Sequence, residues 1–279
     1  MQNIEITLTK NKKPFPDYKT IGFGTHFTDH MFIMDYDKEN GWHSPRIVPY
    51  DKLEFEPSCS VFHYGQALFE GMKAYRTPDD RILLFRPQEN FKRLNMSAER
   101  ICIPPLDEEF LLKALITLVN IDRDWVPSEP GMTLYIRPFI ISTDISLGVH
   151  PASHFKFMII MTPVTSYYTG GLTPQKILVE SKYVRAVKGG TGNTKVIGNY
   201  AASLKSQKTA LDNGYSQVLW LDGIEHKYVE EVGSMNIFFK IGDKLVTPEL
   251  NGSILPGITR DSVIKLAKNM GIEVEERLI

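Results

Sequence analysis

The feature that most constrains this chain is a glycine-rich turn that ends in a lysine. Gly189, Gly190 and Gly192 precede Lys195, and the residues that follow have the pattern of a helix. Glycine lets the backbone turn tightly and approach a bulky ligand closely. An amine held in such a turn can form an imine with a carbonyl cofactor. This segment predicts a covalent cofactor site, while a flexible loop with a solvated lysine fits the segment alone about equally well.

A third interpretation of the same turn is a phosphate-binding nucleotide loop. Such a loop needs a lysine directly after its last glycine and a Ser or Thr directly after that lysine. Here Asn193 and Thr194 intervene, and Val196 follows the lysine. Because no hydroxyl is placed to hold a magnesium ion, the sequence disfavours a nucleotide site.

Composition and charge are those of an ordinary globular chain. Its 279 residues, 42% hydrophobic and 23% charged, are enough for roughly two domains. With 32 basic and 33 acidic side chains, no basic run indicates a nucleic-acid or membrane surface. Apolar stretches such as 157–161 are too short to cross a bilayer, and the first residues do not resemble a signal peptide. We therefore expect no nucleic-acid or membrane partner and a cytoplasmic location.

The cysteines and histidines do not indicate a metal or disulfide framework. Cys59 and Cys102 are far apart and lack metal-ligand spacing, so we expect both to be buried, reduced thiols. Neither a Cys-x-x-Cys pair nor a His-Glu-x-x-His motif occurs in the sequence. We therefore expect no metal site.

Strand and helix patterns divide the chain into two domains. Residues 1–165 mix strands and helices, residues 166–172 are small and polar around two tyrosines, and residues 173–279 follow. The sequence predicts an α+β domain, a linker and a second domain. The strands predicted in the first domain are 31–36, 82–85, 132–141 and 157–162. The inner faces predicted for its two helices are Phe91, Leu94 and Ala98, and Phe110, Leu111, Ala114, Leu115 and Leu118.

The second domain has predicted strands at 176–181 and 217–221, and two helices. We expect Asn199 to cap the helix after the lysine turn. Its inner face is predicted to be Ala201, Leu204 and Leu211. The other helix is opened by residues 256–259 (Pro-Gly-Ile-Thr), with Val263, Leu266, Ala267 and Met270 predicted on one face. Backbone NH groups at this helix start would attract a phosphate, although an ordinary surface helix fits equally well.

Three motifs in one order resemble the branched-chain amino acid aminotransferases. They are the Lys195 turn, the run 230–236 (Glu-Glu-Val-Gly-Ser-Met-Asn) and the run 252–260 (Gly-Ser-Ile-Leu-Pro-Gly-Ile-Thr-Arg). The similarity extends from 23–31 through 63–74 to the last residue. These are pyridoxal 5'-phosphate enzymes of fold type IV, so the resemblance implies a two-domain α/β fold like that of D-amino acid aminotransferase. It also implies amino-group transfer between leucine, isoleucine or valine and 2-oxoglutarate, by a homodimer.

The resemblance assigns the cofactor-binding residues one by one. Lys195 matches the residue that bonds covalently to the cofactor and then moves the substrate proton. Glu231 matches the carboxylate that faces the pyridine nitrogen, while its neighbour Glu230 should point the other way along a strand. Tyr200 matches the phenol that bonds the cofactor ring oxygen. The phosphate is assigned to an arginine and two backbone NH groups, with a hydroxyl residue near the cofactor; these residues are Arg93, Ile258, Thr259 and Ser234.

The resemblance also assigns a substrate pocket with an aromatic wall and one cation. Arg137 matches the residue that meets the distal carboxylate of glutamate or 2-oxoglutarate. Leu147 and Val149 match a loop that closes the pocket of the neighbouring subunit. The aromatic residues at pocket positions are Phe23, Tyr64, Phe69, Tyr135 and Tyr167.

Two alternatives differ from this assignment. The first is another enzyme of the same fold, a D-amino acid aminotransferase or an aminodeoxychorismate lyase; the segments 23–31 and 71–74 match the branched-chain group instead. The second is a non-catalytic remnant that binds cofactor or a subunit. It is motivated by the chain's last residues, 272–279, which alternate like a strand. The resemblance implies a further C-terminal segment with a Gly-Thr pair, so we expect a truncated chain with weakened activity.

Overall fold

The computed structural model describes residues 3–17, 21–165 and 173–279. The chain forms two compact units, Met1–Leu172 and Thr173–Ile279. The predicted linker 166–172 lies outside the described residues. The predicted domain limits, 1–165 and 173–279, stay predictions.

The strands of the first unit are β1 (Glu5–Ile6), β2 (His30–Asp37), β3 (Gly41–Pro49), β4 (Ala67–Phe69), β5 (Met72–Arg76), β6 (Ile82–Leu84), β7 (Thr133–Ser142) and β8 (Phe155–Val164). They form an eight-stranded, mainly antiparallel sheet with the order β1-β3-β2-β8-β7-β5-β6, in which β4 also pairs with β7. The centre of the sheet is the long pair β7 and β8, which runs from Thr133 opposite Val164 to Ser142 opposite Phe155. All four strands predicted here are present, with small shifts at their ends.

Helices of the first unit bury the faces that the sequence predicts. After the short α1 (Val61–Tyr64), α2 (Pro87–Arg100) packs on β4, and α3 (Glu108–Ile121) packs on β2 and on α2. Asp107 caps α3 by accepting bonds from two backbone NH groups. The predicted faces are confirmed, since each of these side chains is at most 8% exposed: Phe91, Leu94, Ala98, Phe110, Leu111, Ala114, Leu115 and Leu118.

The elements of the second unit are β9 (Ile177–Glu180), α4 (Gly198–Asp212), β10 (Gln217–Leu221), β11 (Val229–Val232), β12 (Phe239–Ile241), β13 (Lys244–Thr247), α5 (Ile258–Asn269) and β14 (Val274–Glu276). Its strands form two three-stranded sheets, ordered β11-β10-β9 and β12-β13-β14. In the first sheet, β10 pairs parallel with β9 and antiparallel with β11. The predicted strands 176–181 and 217–221 are confirmed as β9 and β10.

The predicted inner faces of α4 and α5 are wrong. In α4, Leu204 is 66% exposed, and Ser206 and Ala210 are the buried residues. Ala210 packs with Val218 and Trp220 of β10. In α5, Ala267 is buried as predicted, but Leu266 and Met270 are exposed and the other buried residues are Arg260 and Ile264.

A tight connection between β10 and β11 sets the register of β11. The Asp222 carboxylate accepts four backbone NH groups, from Ile224, Glu225, Lys227 and Tyr228. These bonds hold the pKa of Asp222 well below its usual range, although burial opposes the shift. The hairpin places Trp220 opposite Glu231.

The remaining sequence expectations about the fold have mixed outcomes. Of the strand predicted over 272–279, only the segment Val274–Glu276 is a strand, and it pairs in parallel with β13. Both cysteines are free thiols, and Cys59 is buried as predicted, but Cys102 is exposed, so its predicted burial is wrong. Among the described residues, no helix is long and apolar enough to cross a membrane.

Candidate functional site

The lysine turn owes its shape to close backbone packing. Gly190 and Thr194 each donate a backbone bond to the carbonyl three residues earlier. At Gly192, a Cβ would lie 2.1 Å from the Ser253 carbonyl oxygen and 2.4 Å from the Ala186 Cβ. The glycine is therefore required because two protein segments touch there, whereas the sequence alone attributes it to the approach of a ligand.

Asn199 connects this turn to α4 through side-chain hydrogen bonds that no sequence pattern indicates. The predicted cap is wrong, because α4 already begins at Gly198 and no side chain caps it. The Asn199 amide instead donates to the carbonyls of Thr191 and Thr194, each at 2.9 Å, and accepts the Thr191 hydroxyl at 2.7 Å. These bonds fix the residues directly before Lys195.

Lys195 and Tyr200 lie side by side. The Lys195 ammonium donates to the Tyr200 hydroxyl at 3.1 Å, and both side chains are half-buried. Their spacing of five residues across the start of α4 brings the two polar tips together. The structure thus places the predicted covalent lysine beside the predicted phenol.

Glu231 is a buried carboxylate on β11 with three polar neighbours. Its Oε1 accepts the Leu255 backbone NH at 2.9 Å and the Asn236 amide at 3.3 Å. Its Oε2 lies 3.1 Å from the Arg185 Nε, and the Glu231 side chain is 3% exposed. Burial raises the pKa of Glu231, and the Arg185 guanidinium is the strongest influence in the opposite direction. The sequence predicts Glu231 as a site residue but gives no indication of its partners Arg185 and Asn236.

Glu230 contacts a different set of residues, as the alternation of a strand predicts. Its Oε1 accepts the Ser253 hydroxyl and, at 3.4 Å, the Asn251 amide. Its side chain is buried, and its Oε2 has no hydrogen-bond partner among the described residues. The two neighbouring carboxylates are therefore chemically distinct.

A pocket in the second unit collects several of these groups. Tyr200, Glu231 and Ser234, all predicted from the sequence, line it together with Arg185, Asn199 and Leu255. Ile258 and Thr259 are the first residues of α5, whose start has no side-chain cap. A helix start of this kind attracts anions, because its dipole is positive and its NH groups point outward.

In the first unit, Arg93 is held by a buried carboxylate. Its Nε donates to Glu70 Oε1 at 2.7 Å and its Nη2 donates to Oε2 at 2.9 Å. Glu70 is fully buried and also accepts the Asn90 amide at 2.8 Å. This fork-to-fork pairing sets the plane of the Arg93 guanidinium. Apart from the place of Glu70 in the segment 63–74, no sequence signal indicates this role.

Four predicted substrate residues of the first unit form one cluster. The Arg137 guanidinium lies 4.2 Å from the centre of the Phe69 ring, and its Nη2 donates to the Tyr135 hydroxyl at 2.9 Å. Phe23 packs edge-on against Tyr135 with ring centres 5.0 Å apart. Gly71 leaves the space for this tyrosine, since a Cβ there would lie 2.4 Å from the Tyr135 hydroxyl.

Three other predicted substrate residues, Tyr64, Leu147 and Val149, lie in α1 and in the loop after β7. The Tyr64 hydroxyl donates to the Leu147 carbonyl, which links α1 to the loop after β7. Leu147 and Val149 expose their side chains, by 63% and 83% respectively. Tyr167 lies outside the described residues.

Comparison with known proteins gives one consistent family. The model of the amino-transferase class IV family matches residues 67–279. The chain is 59% identical over 278 residues to branched-chain-amino-acid aminotransferase 2 of Bacillus subtilis (strain 168), covering 100% of this chain and 77% of that protein.

Solved structures agree with the sequence comparison. A branched-chain aminotransferase from Thermoproteus uzoniensis with norvaline superposes with a TM-score of 0.76 at 26% identity, over 90% of this chain and 78% of that one. The branched-chain amino acid aminotransferase from Thermobaculum terrenum in its PLP-form gives a TM-score of 0.71 at 25% identity, over 89% of this chain and 76% of that one.

The close packing at Gly192 predicts that Gly192→Ala destabilises the chain while Gly198→Ala does not. The new methyl group at position 192 meets backbone, which cannot move aside cheaply, so we expect a loss of about 1–3 kcal/mol. Gly198 has nothing within 4 Å of a built Cβ, and alanine is the better helix former there. Urea unfolding of the two variants measures both effects, and equal stability would contradict the packing argument.

Proposed function

Because the chain belongs to the branched-chain amino acid aminotransferases of class IV, we propose that it transfers the amino group between leucine, isoleucine or valine and 2-oxoglutarate. The products are the branched-chain 2-oxo acids and glutamate. The observation that carries this proposal is the Lys195 amine, held against Tyr200 in the same unit as the buried Glu231 carboxylate. These are the groups that proton transfer at an amino acid α-carbon requires.

Pyridoxal 5'-phosphate, the cofactor of this family, fits the chemistry of the second unit. The Lys195 amine can bond an aldehyde, and the start of α5, which lacks a side-chain cap, suits a phosphate. Burial raises the pKa of Glu231, so the ionised carboxylate lacks full compensation by nearby positive charge. A protonated ring nitrogen of the cofactor would add a positive charge beside it. When bound, this cofactor draws electrons from the substrate α-carbon, which makes the α-proton acidic.

The protein's own residues then move and hold protons. The neutral Lys195 Nζ would accept the proton from the substrate α-carbon, with the Tyr200 hydroxyl orienting that amine. The Glu231 carboxylate would face the ring nitrogen and favour its protonated form. Arg93 is the proposed phosphate-binding arginine, with Glu70 fixing its plane. Ser234, Ile258 and Thr259 are proposed to donate further bonds to the cofactor.

On the substrate side, Arg137 is proposed to separate the two substrate classes. Its guanidinium edge can bond the distal carboxylate of glutamate or 2-oxoglutarate. The rings beside it offer apolar contact to branched side chains, as aromatic pocket walls do. The proposed wall consists of Phe23, Tyr64, Phe69, Tyr135 and Tyr167.

We further propose that the active form is a homodimer. The loop 143–154 and α1 expose large apolar side chains, and the loop is anchored by the Ser60 NH bonded to the Asp144 carbonyl at 2.8 Å. Apolar clusters of this kind mark protein–protein contacts. The exposed side chains are Phe62, Ile145, Leu147 and Val149. A cytoplasmic location stays a prediction from the sequence.

The first test is transamination by the full chain loaded with pyridoxal 5'-phosphate. We expect glutamate to form from leucine and 2-oxoglutarate, and the product to disappear in Lys195→Ala but not in Lys188→Ala. Borohydride reduction followed by peptide mapping should place the pyridoxyl group on Lys195. A loaded chain without turnover would favour the non-catalytic alternative, and activity confined to D-amino acids would favour the other enzyme of this fold.

The second test separates the two half-reactions. Arg137→Leu should slow the glutamate half-reaction by about thirtyfold more than the leucine half-reaction, because a lost charge-assisted bond costs about 2 kcal/mol. Arg137→Lys keeps the positive charge, so its rate in the glutamate half-reaction should lie between those of the wild type and Arg137→Leu. Single-turnover rates followed by cofactor absorbance measure both halves, and equal losses would indicate a structural role for Arg137.

The third test concerns the dimer. The double change Leu147→Asp and Val149→Asp should shift the sedimentation coefficient from dimer to monomer, because charge is costly in an apolar interface. As a control, Ile224→Asp places one such charge at another exposed apolar position, in the second unit, and should leave the dimer intact. A monomeric wild-type chain in analytical ultracentrifugation would overturn the proposal.

A further inference from the structure

Arg185 joins three separate segments of the second unit through one buried guanidinium. Its Nη2 donates to the Gly192 carbonyl in the lysine turn at 3.1 Å and to the Ser253 carbonyl before α5. Its Nε lies 3.1 Å from Glu231 Oε2, and the Arg185 side chain is only 8% exposed. One side chain therefore links the turn that carries Lys195 to the carboxylate on β11.

The contact with Glu231 acts through charge. Within the described part of the chain, Arg185 Nε has no partner with hydrogen-bond geometry, so the 3.1 Å approach is an ion pair without a directed bond. Three charged groups act on the buried Glu231 carboxylate: Arg185 and Lys195 favour its ionised form, and Glu230 opposes it. Asn236 and the Leu255 NH add neutral donors. Of the two cations, Arg185 has the larger effect on Glu231.

Position 185 calls for an arginine rather than any cation. The planar guanidinium can serve two carbonyls and a carboxylate from fixed directions, whereas a lysine ammonium offers a single point charge. The Gly192 and Ser253 carbonyls belong to the same two segments that touch where a Cβ at position 192 would collide. Arg185 therefore bonds both sides of this contact.

We propose that Arg185 is a positioning residue for the aminotransferase reaction: it favours the ionised form of the Glu231 carboxylate and fixes that carboxylate relative to the lysine turn. This inference rests on the proposed function for its catalytic meaning. The ion pair itself can be tested in the cofactor-free chain, independently of turnover.

The decisive experiment measures folding stability against pH for Arg185→Met and for the double variant Arg185→Met, Glu231→Gln. Without the guanidinium, the buried Glu231 carboxylate should stay protonated in the folded chain at a pH where the same group in the unfolded chain is ionised. A raised folded pKa means that stability is lost as pH rises through that window. Between about pH 5 and pH 8, the folding equilibrium constant of Arg185→Met should fall by up to about tenfold per pH unit relative to the double variant.

Arg260→Met is the matched control. Arg260 is an equally buried arginine of the same unit, but it bonds the Pro248 carbonyl and Glu276 instead of Glu231. Adding Glu231→Gln to Arg260→Met should change stability by the same amount as in the wild type at every pH. If Arg185→Met and its double variant differ by a constant amount across this pH range, the proposal is overturned.

Two further measurements keep the proposal testable if a variant folds poorly. Should Arg185→Met not fold, Glu231→Gln must rescue it, since the double variant no longer has the carboxylate that Arg185 pairs with; failure to rescue overturns the proposal. In titrations with pyridoxal 5'-phosphate, Arg185→Met should bind at least tenfold more weakly, and Arg185→Lys should lie closer to the wild type. If the wild-type chain showed no transamination, the proposed function would be wrong, but the pH test of the ion pair would still be valid because it does not depend on turnover.

Discussion

The burial of the Glu231 carboxylate is the constraint on which the rest of the second unit depends. An isolated buried carboxylate costs far more than a domain's stability margin, so its neighbours must compensate it. They come from distant parts of the chain: Arg185 before the lysine turn, Asn236 after β11 and the Leu255 NH before α5. The requirement to place Glu231 therefore fixes where these segments meet.

The first unit also contains a buried carboxylate paired with an arginine, but there the carboxylate holds the arginine in place. There the fully buried Glu70 holds the Arg93 guanidinium through two bonds, and the Asn90 amide satisfies one of its oxygens further. In this pair the carboxylate is the support and the cation is the proposed ligand-binding group. Removing one partner of such a pair costs more than the pair contributes, because the remaining charge is left without compensation. In each unit, a charge with a proposed functional role is thus held in place by a second, oppositely charged side chain.

The sequence predicted elements and motif residues well where each depends on local pattern. The faces of α2 and α3 follow helical periodicity because large apolar side chains pack inward there. In α4 the same rule fails, since the small residues Ser206 and Ala210 let the helix lie close to β10 while Leu204 faces outward. The residues that hold the site together cannot be predicted from the sequence for a related reason. Gly192 packs against Ser253, which lies far along the chain, and no local pattern encodes that contact.

The cluster around Arg137 explains how one pocket can serve apolar and charged substrates in the proposed reaction. A guanidinium is apolar on its faces and polar at its edge. Stacking on Phe69 uses a face, and the bond to the Tyr135 hydroxyl uses part of the edge. In the proposed reaction, the remaining edge would bond the distal carboxylate of one substrate class, and the rings would contact the branched side chains of the other. Because Gly71 leaves room for the Tyr135 hydroxyl, the orientation of this cation depends on the absence of a single methyl group.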